Sequence, residues 1–142
     1  MVVSVILARG GSKGIYRKNV VNINGKPLLY YTVNASLESE VDETWVSTDD
    51  DEIALIATQA GAKVLRRPPE LSSDNSTSES ALLHFANSVD FTQVVFIQPT
   101  SPLLKAKYIN KGLSMMSEYD SVFSAYTQHW VPKWTKESPS EP

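Results

Sequence analysis

Val2-Val3-Ser4-Val5-Ile6-Leu7-Ala8-Arg9-Gly10-Gly11-Ser12-Lys13-Gly14-Ile15-Tyr16-Arg17-Lys18-Asn19 decides how this chain is read. Val2 to Ala8 is apolar and largely β-branched, the composition of a strand covered on both faces and therefore of a parallel sheet. From Arg9 onward the chain turns basic and rich in glycine. Four of the five cations in the first 37 residues lie in this loop, and no carboxylate occurs before Glu38, although the formal net charge of the chain is −3. Glycines let backbone N–H groups come close to a ligand, and cationic side chains add charge-assisted hydrogen bonds. That inventory suits a small polyanion. The competing reading is a solvated basic turn. The loop is neither the G-x-G-x-x-G dinucleotide fingerprint nor the G-x-x-x-x-G-K-S/T Walker loop.

Outward from this stretch, strand and helix patterns alternate. Asn22 to Pro27 reads as a turn, with Pro27 placed to open a helix over Leu28 to Ser39, which is favoured over the strand propensity of Tyr30 to Val33. Thr44 to Thr48 is a second strand. Asp49 or Asp50 caps a helix that runs to Ala60 and stops at Gly61. Lys63 to Arg66 is a third strand, and a polar loop through Ser72–Ser78 leads to a helix over Glu79 to Val89. Val94 to Ile97 is a fourth strand. Gln98-Pro99-Thr100-Ser101-Pro102 forces an extended connection to a helix from Lys105 to Glu118, and Ser121 to Ala125 is a fifth strand. This order predicts an α/β, three-layer, mostly parallel sheet whose ligands collect beyond the carboxyl ends of the strands.

The 142 residues, 42% of them hydrophobic, suffice for one packed domain, here assigned to 1–131, with 132–142 a polar tail expected to be disordered or a fragment end. A net acidic chain with its cations in one loop argues against a nucleic-acid surface. The amino-terminal apolar run is far shorter than the roughly 20 residues of a membrane span, so neither membrane nor nucleic acid is an expected partner. With no cysteine, thiolate ligands and nucleophiles are excluded.

Asp49-Asp50-Asp51-Glu52 resembles a metal cluster, yet acidic residues at a helix start satisfy orphan N–H groups and the dipole, and this reading is preferred. Asp49 is the one expected to face the cleft. Arg66-Arg67 either extends the anion site or is exposed loop charge. His84 reads as a partly buried helix residue, and no Ser–His–acid arrangement can be argued from spacing.

Leu7-Ala8-Arg9-Gly10-Gly11-Ser12-Lys13-Gly14-Ile15 with Lys18-Asn19 strongly resembles the opening motif of the acylneuraminate cytidylyltransferases, the CMP-sialic acid synthetases. Gly25-Lys26-Pro27-Leu28, Val46-Ser47-Thr48-Asp49, Arg67-Pro68 with Glu70-Leu71, Ser73-Asp74 and Gln98-Pro99-Thr100-Ser101-Pro102-Leu103 appear in the family's order, to about Trp134. The resemblance implies a Rossmann-like nucleotidyltransferase fold in which the anomeric hydroxyl of an acidic nine-carbon sugar attacks the α-phosphorus of CTP. Pyrophosphate leaves with no covalent enzyme intermediate, and Mg2+ accompanies CTP. Carried over by position, Arg9, Gly10, Gly11, Ser12, Lys13, Lys18 and Asn19 would hold CTP, with Arg9, Lys13 and Lys18 as the catalytic cations. Arg67 and Ser78 would line the nucleotide pocket. Gln98, Thr100 and Ser101 would contact the sugar.

The resemblance also implies a cytoplasmic protein, nuclear in an animal, and a homodimer in full-length members. Tyr16 stands where the family usually has proline. The fold is expected to be truncated on its C-terminal side, ahead of the metal-binding aspartates, so no metal ligand is assigned here and slow turnover is expected. Two rival readings stand beside this one: a non-catalytic nucleotide- or sugar-phosphate-binding module, and a cytidylyltransferase for an eight-carbon sugar acid.

Overall fold

A computed structural model describes residues 1–11, 18–72 and 76–124. In chain order the elements are β1 (Val2–Leu7), a short 3-10 turn (Lys18–Val20), a hairpin of β2 (Asn22–Ile23) and β3 (Lys26–Pro27), α1 (Leu28–Leu37) and β4 (Glu43–Thr48). Next come α2 (Asp51–Ala60), β5 (Lys63–Arg66), a 3-10 turn (Pro69–Leu71), α3 (Ser78–Ser88), β6 (Gln93–Ile97) and α4 (Ala106–Met115). The main sheet has the order β5-β4-β1-β6, with every neighbouring pair parallel.

β1 is central because it is apolar on both sides. Val3, Val5 and Ile6 are all fully buried. Ile6 and Ala8 face one layer, where they join Val46 of β4, Leu29 and Val33 of α1, Ile53 and Ala57 of α2 and Ile109 of α4. Val3 and Val5 face the other, packing with Phe85 of α3 among Trp45, Leu65 and Val94. Phe85 meets Trp45 edge-on at 6.0 Å and stacks on Phe91 at 5.8 Å. The result is the expected α/β/α sandwich.

One polar seam crosses the first layer. The Ser4 and Ser36 hydroxyls lie 2.5 Å apart, and Ser36 is 2.7 Å from the Thr44 hydroxyl, all three residues being buried. Because buried hydroxyls need partners, this chain of bonds fixes α1 in one position over β1 and β4.

The acidic run after β4 is a helix start. Asp50 caps α2 by accepting the Ile53 N–H at 2.9 Å, Asp51 and Glu52 occupy the first turn, and Gly61 closes the helix at φ 104°. Three segments differ from the sequence reading. Asn22 to Pro27 is more than a turn: Asn24 and Gly25 have φ of 53° and 90°, the left-handed pair that joins a tight hairpin. α4 ends at Met115 rather than Glu118. Residues 121–124 form no strand, and Phe123 is 86% exposed. β-propensity there has no ladder partner among the described residues, and a strand exists only as half of a pair. Ala125 and the tail assigned to 132–142 lie outside the described residues.

Gly61→Ala should destabilise the protein by about 1–2 kcal/mol, since a side chain at positive φ is strained and the new Cβ would lie 3.1 Å from Leu37 Cδ1. Urea unfolding of the two proteins side by side measures it.

Candidate functional site

After β1 the chain lays β4 and β5 to one side and then returns to place β6 on the other. At such a switch the loops leaving adjacent strands part in opposite directions and leave a crevice beyond the carboxyl ends. A cleft of about 330 Å³ opens there. Its lining comes from the end of β1 and its loop (Leu7, Arg9, Gly11), from Asn19, from Arg67 after β5, and from Thr100 after β6. Leu71 lines it beside Arg67, and Ser76, Thr77 and Ser78 at the start of α3 form the far wall.

Arg67 is the least exposed cation of this wall, at 7%. Its N–H continues the sheet ladder to the Thr48 carbonyl at 2.8 Å, and its side chain turns inward. Nη2 donates to the Ser47 carbonyl at 3.1 Å and Nη1 to that of Leu71 at 3.4 Å. Nε, also buried, has no hydrogen-bond partner among the described residues. Burial pushes the guanidinium below its ordinary pKa, Asp49 opposes that shift, and the like charge of Arg9 adds to it. Arginine remains charged through such shifts, so the cleft holds two cations close enough to feel each other.

The loop leaving β1 is anchored from two sides. Asn19, 8% exposed, donates Nδ2 to the Arg9 carbonyl at 2.9 Å. Gly10 donates its N–H to Asp49 Oδ1 at 2.9 Å. The Gly10 amide, read from sequence as a ligand donor, is thus engaged by a carboxylate. Glycine is required at that position by space: a Cβ there would lie 2.8 Å from Asp50 Oδ2, whereas one at Gly11 would have no neighbour within 4 Å.

At the far wall Thr77 caps α3, its hydroxyl accepting the Ser80 N–H at 3.0 Å, so Ser78 opens the helix. A helix N-terminus presents N–H groups and a partial positive charge to whatever occupies the cleft.

Of the residues assigned from sequence, Arg9, Gly11, Asn19, Arg67, Ser78 and Thr100 come together in this cleft. Lys18 opens the 3-10 turn that carries Asn19. Ser12 and Lys13 lie outside the described residues. Gln98 and Ser101 are exposed and do not line the cleft, the Ser101 carbonyl instead accepting the Leu104 N–H at 3.1 Å. Arg66, left open with Arg67, separates from it, being exposed and paired to Asp51 at 2.6 Å. Thr77 was missed, although a threonine before an apolar helical run signals a cap. The Ser47 and Leu71 carbonyls that hold Arg67 carry no side-chain signal at all.

Among the described residues no helix is long and apolar enough to cross a membrane. Nor is any group of three or more His, Asp and Glu residues among them placed to hold a metal ion.

The family profile described as cytidylyltransferase matches residues 3–138. The sequence is 43% identical over 129 residues to N-acylneuraminate cytidylyltransferase B of Danio rerio, covering 89% of this chain and 30% of that protein. It is 36% identical over 122 residues to the N-acylneuraminate cytidylyltransferase of Streptococcus agalactiae serotype V, covering 83% and 30%. The chain therefore spans about 30% of the length of these relatives. The backbone is similar to that of CMP:2-keto-3-deoxy-manno-octonic acid synthetase complexed with CTP, with a TM-score of 0.74 at 24% identity over 82% of this chain and 48% of that one. That likeness concerns the fold.

Gly10→Ala is expected to lower stability by about 1–3 kcal/mol, because the methyl group must displace the capping Asp50 carboxylate. Gly11→Ala should stay within about 0.5 kcal/mol of the parent in the same denaturation experiment.

Proposed function

The chain belongs to the cytidylyltransferase family, and from that premise we propose that it forms the nucleotide-binding part of an enzyme that makes a CMP-sugar. The donor is CTP. The acceptor is the anomeric hydroxyl of N-acetylneuraminate or a related nine-carbon acidic sugar. Its oxygen bonds to the α-phosphorus as the bond from that phosphorus to the bridging oxygen breaks, the hydroxyl gives its proton to solvent, and pyrophosphate departs with the bonding pair.

The single observation that carries this reading is Arg67: a buried guanidinium whose Nε has no partner among the described residues, on the wall of a cleft that also holds Arg9. Two like charges held together at the edge of a partly desolvated wall favour an anionic occupant. Arg9 then meets phosphate charge as it shifts toward the leaving pyrophosphate, and the first turn of α3 faces the nucleotide from the opposite wall. Such transfer depends on positioning and neutralising charge more than on a protein nucleophile. Mg2+ enters the reading as a companion of the triphosphate, and no step is assigned to a metal held by the described residues.

Isothermal titration with CTP should show saturable binding, and Arg67→Lys should weaken it by about tenfold or more, because an ammonium cannot reach two carbonyls and the cleft together. Heat no different from a buffer blank rejects the nucleotide assignment. A pyrophosphate-release assay with CTP, Mg2+ and N-acetylneuraminate, run beside an eight-carbon 3-deoxy sugar acid, identifies the acceptor. Binding without release with either acceptor marks a non-catalytic nucleotide module.

A further inference from the structure

The Arg9 carbonyl and the Gly10 N–H belong to the same peptide group, and both of its ends are held. Asn19 Nδ2 donates to the carbonyl at 2.9 Å, and Asp49 Oδ1 accepts the N–H at 2.9 Å. The two clamping residues reach it from opposite parts of the chain: Asn19 from the 3-10 turn after the basic loop, Asp49 from the turn between β4 and α2. Asp50 closes the space beside it, since a Cβ at Gly10 would collide with the Asp50 side chain. Arg9, on one side of the clamped bond, and Gly11, the residue after its other side, both line the cleft.

We propose that Asp49 is a positioning residue for the nucleotide site: with Asn19 it locks the Arg9–Gly10 peptide plane, so that Arg9 and Gly11 are presented to the triphosphate before it arrives. Without the lock that peptide is free to rotate, and the ordering must be done when the ligand binds, at the expense of affinity. Asp49 acts through the loop and does not touch the ligand. The proposed ligand rests on the functional reading above; the clamp itself is observable without any ligand.

Asp49→Asn keeps an oxygen acceptor for the Gly10 N–H, whereas Asp49→Ala removes it. Amide hydrogen exchange at Gly10, followed by NMR on the ligand-free protein, should be as slow in Asp49→Asn as in the parent to within about threefold, and faster by about tenfold or more in Asp49→Ala. CTP affinity should follow the same split, nearly retained in the asparagine variant and about tenfold weaker in the alanine one. The thermal midpoints should not separate the two variants in this way. Exchange at Gly10 unchanged by Asp49→Ala, or an asparagine variant that loses as much CTP affinity as the alanine one, overturns the clamp. A parent protein that ignores CTP yet shows the expected exchange pattern overturns the nucleotide assignment and leaves the clamp standing.

Discussion

Strand β1 has a hydrogen-bonded neighbour on each edge and packed helices on each face, so its backbone and its apolar side chains are both withdrawn from water. A strand buried so completely along its length meets solvent at its ends, and at the carboxyl end the sequence turns abruptly from Leu7-Ala8 to Arg9-Gly10-Gly11. The cleft is a consequence of that geometry. Leu7, Arg9 and Gly11 reach it because β1 is central, Arg67 and Thr100 because β5 and β6 run parallel to β1 and end at the same level, and the start of α3 because the crossover from β5 to β6 must pass over the sheet. Apolar burial on this scale, at about 25 cal/mol per Å² removed from water, makes the frame rigid enough to hold polar groups at fixed positions.

Electrostatics in the cleft are arranged against the resting protein. Arg67 is taken out of water with two backbone carbonyls as its hydrogen-bond acceptors, and Arg9 adds a like charge. The counterweight is Asp49, whose carboxylate is itself engaged by the Gly10 N–H. Such an arrangement costs stability in the free protein and favours an anionic occupant, the usual trade between a well-packed core and a preorganised site. It also separates two neighbouring arginines that look alike in the sequence. Arg66 points outward from the edge strand β5 to Asp51, while Arg67, one residue on, turns inward as strand pleating dictates.

Most of the frame was legible because its signals are local. Lys63–Arg66 forms the strand read from its residues, Asp50 and Gly61 bracket α2, and the β-branched run of β1 announces a doubly covered parallel strand. Errors fall where a partner decides. Residues 121–124 have the propensity of a strand without a neighbour among the described residues to pair with, and the hairpin at Asn22–Pro27 required recognising that Asn24-Gly25 takes two positive φ values in succession. In the cleft, Arg9, Gly11, Asn19 and Thr100 sit in loops that the strand pattern marks, and Ser78 came from the family resemblance, yet the burial of Arg67 could not be read, since its acceptors are main-chain carbonyls from Ser47 and Leu71. The engagement of the Gly10 amide by Asp49 is equally unmarked in the sequence. A glycine chosen to bring its amide to a ligand and one chosen to fit against a neighbouring aspartate look identical in one dimension.

The Ser4–Ser36–Thr44 hydroxyl relay reaches further than its three residues. Greasy contacts alone would let a ten-residue helix creep along the sheet by fractions of a turn at little cost; directional bonds between oxygens do not. Since the Leu28 N–H bonds the Val21 carbonyl, α1 drags the hairpin and the turn bearing Asn19 with it whenever it shifts. Three small hydroxyls, none of which lines the cleft, thus act as a ruler, setting how far apart its jaws are held.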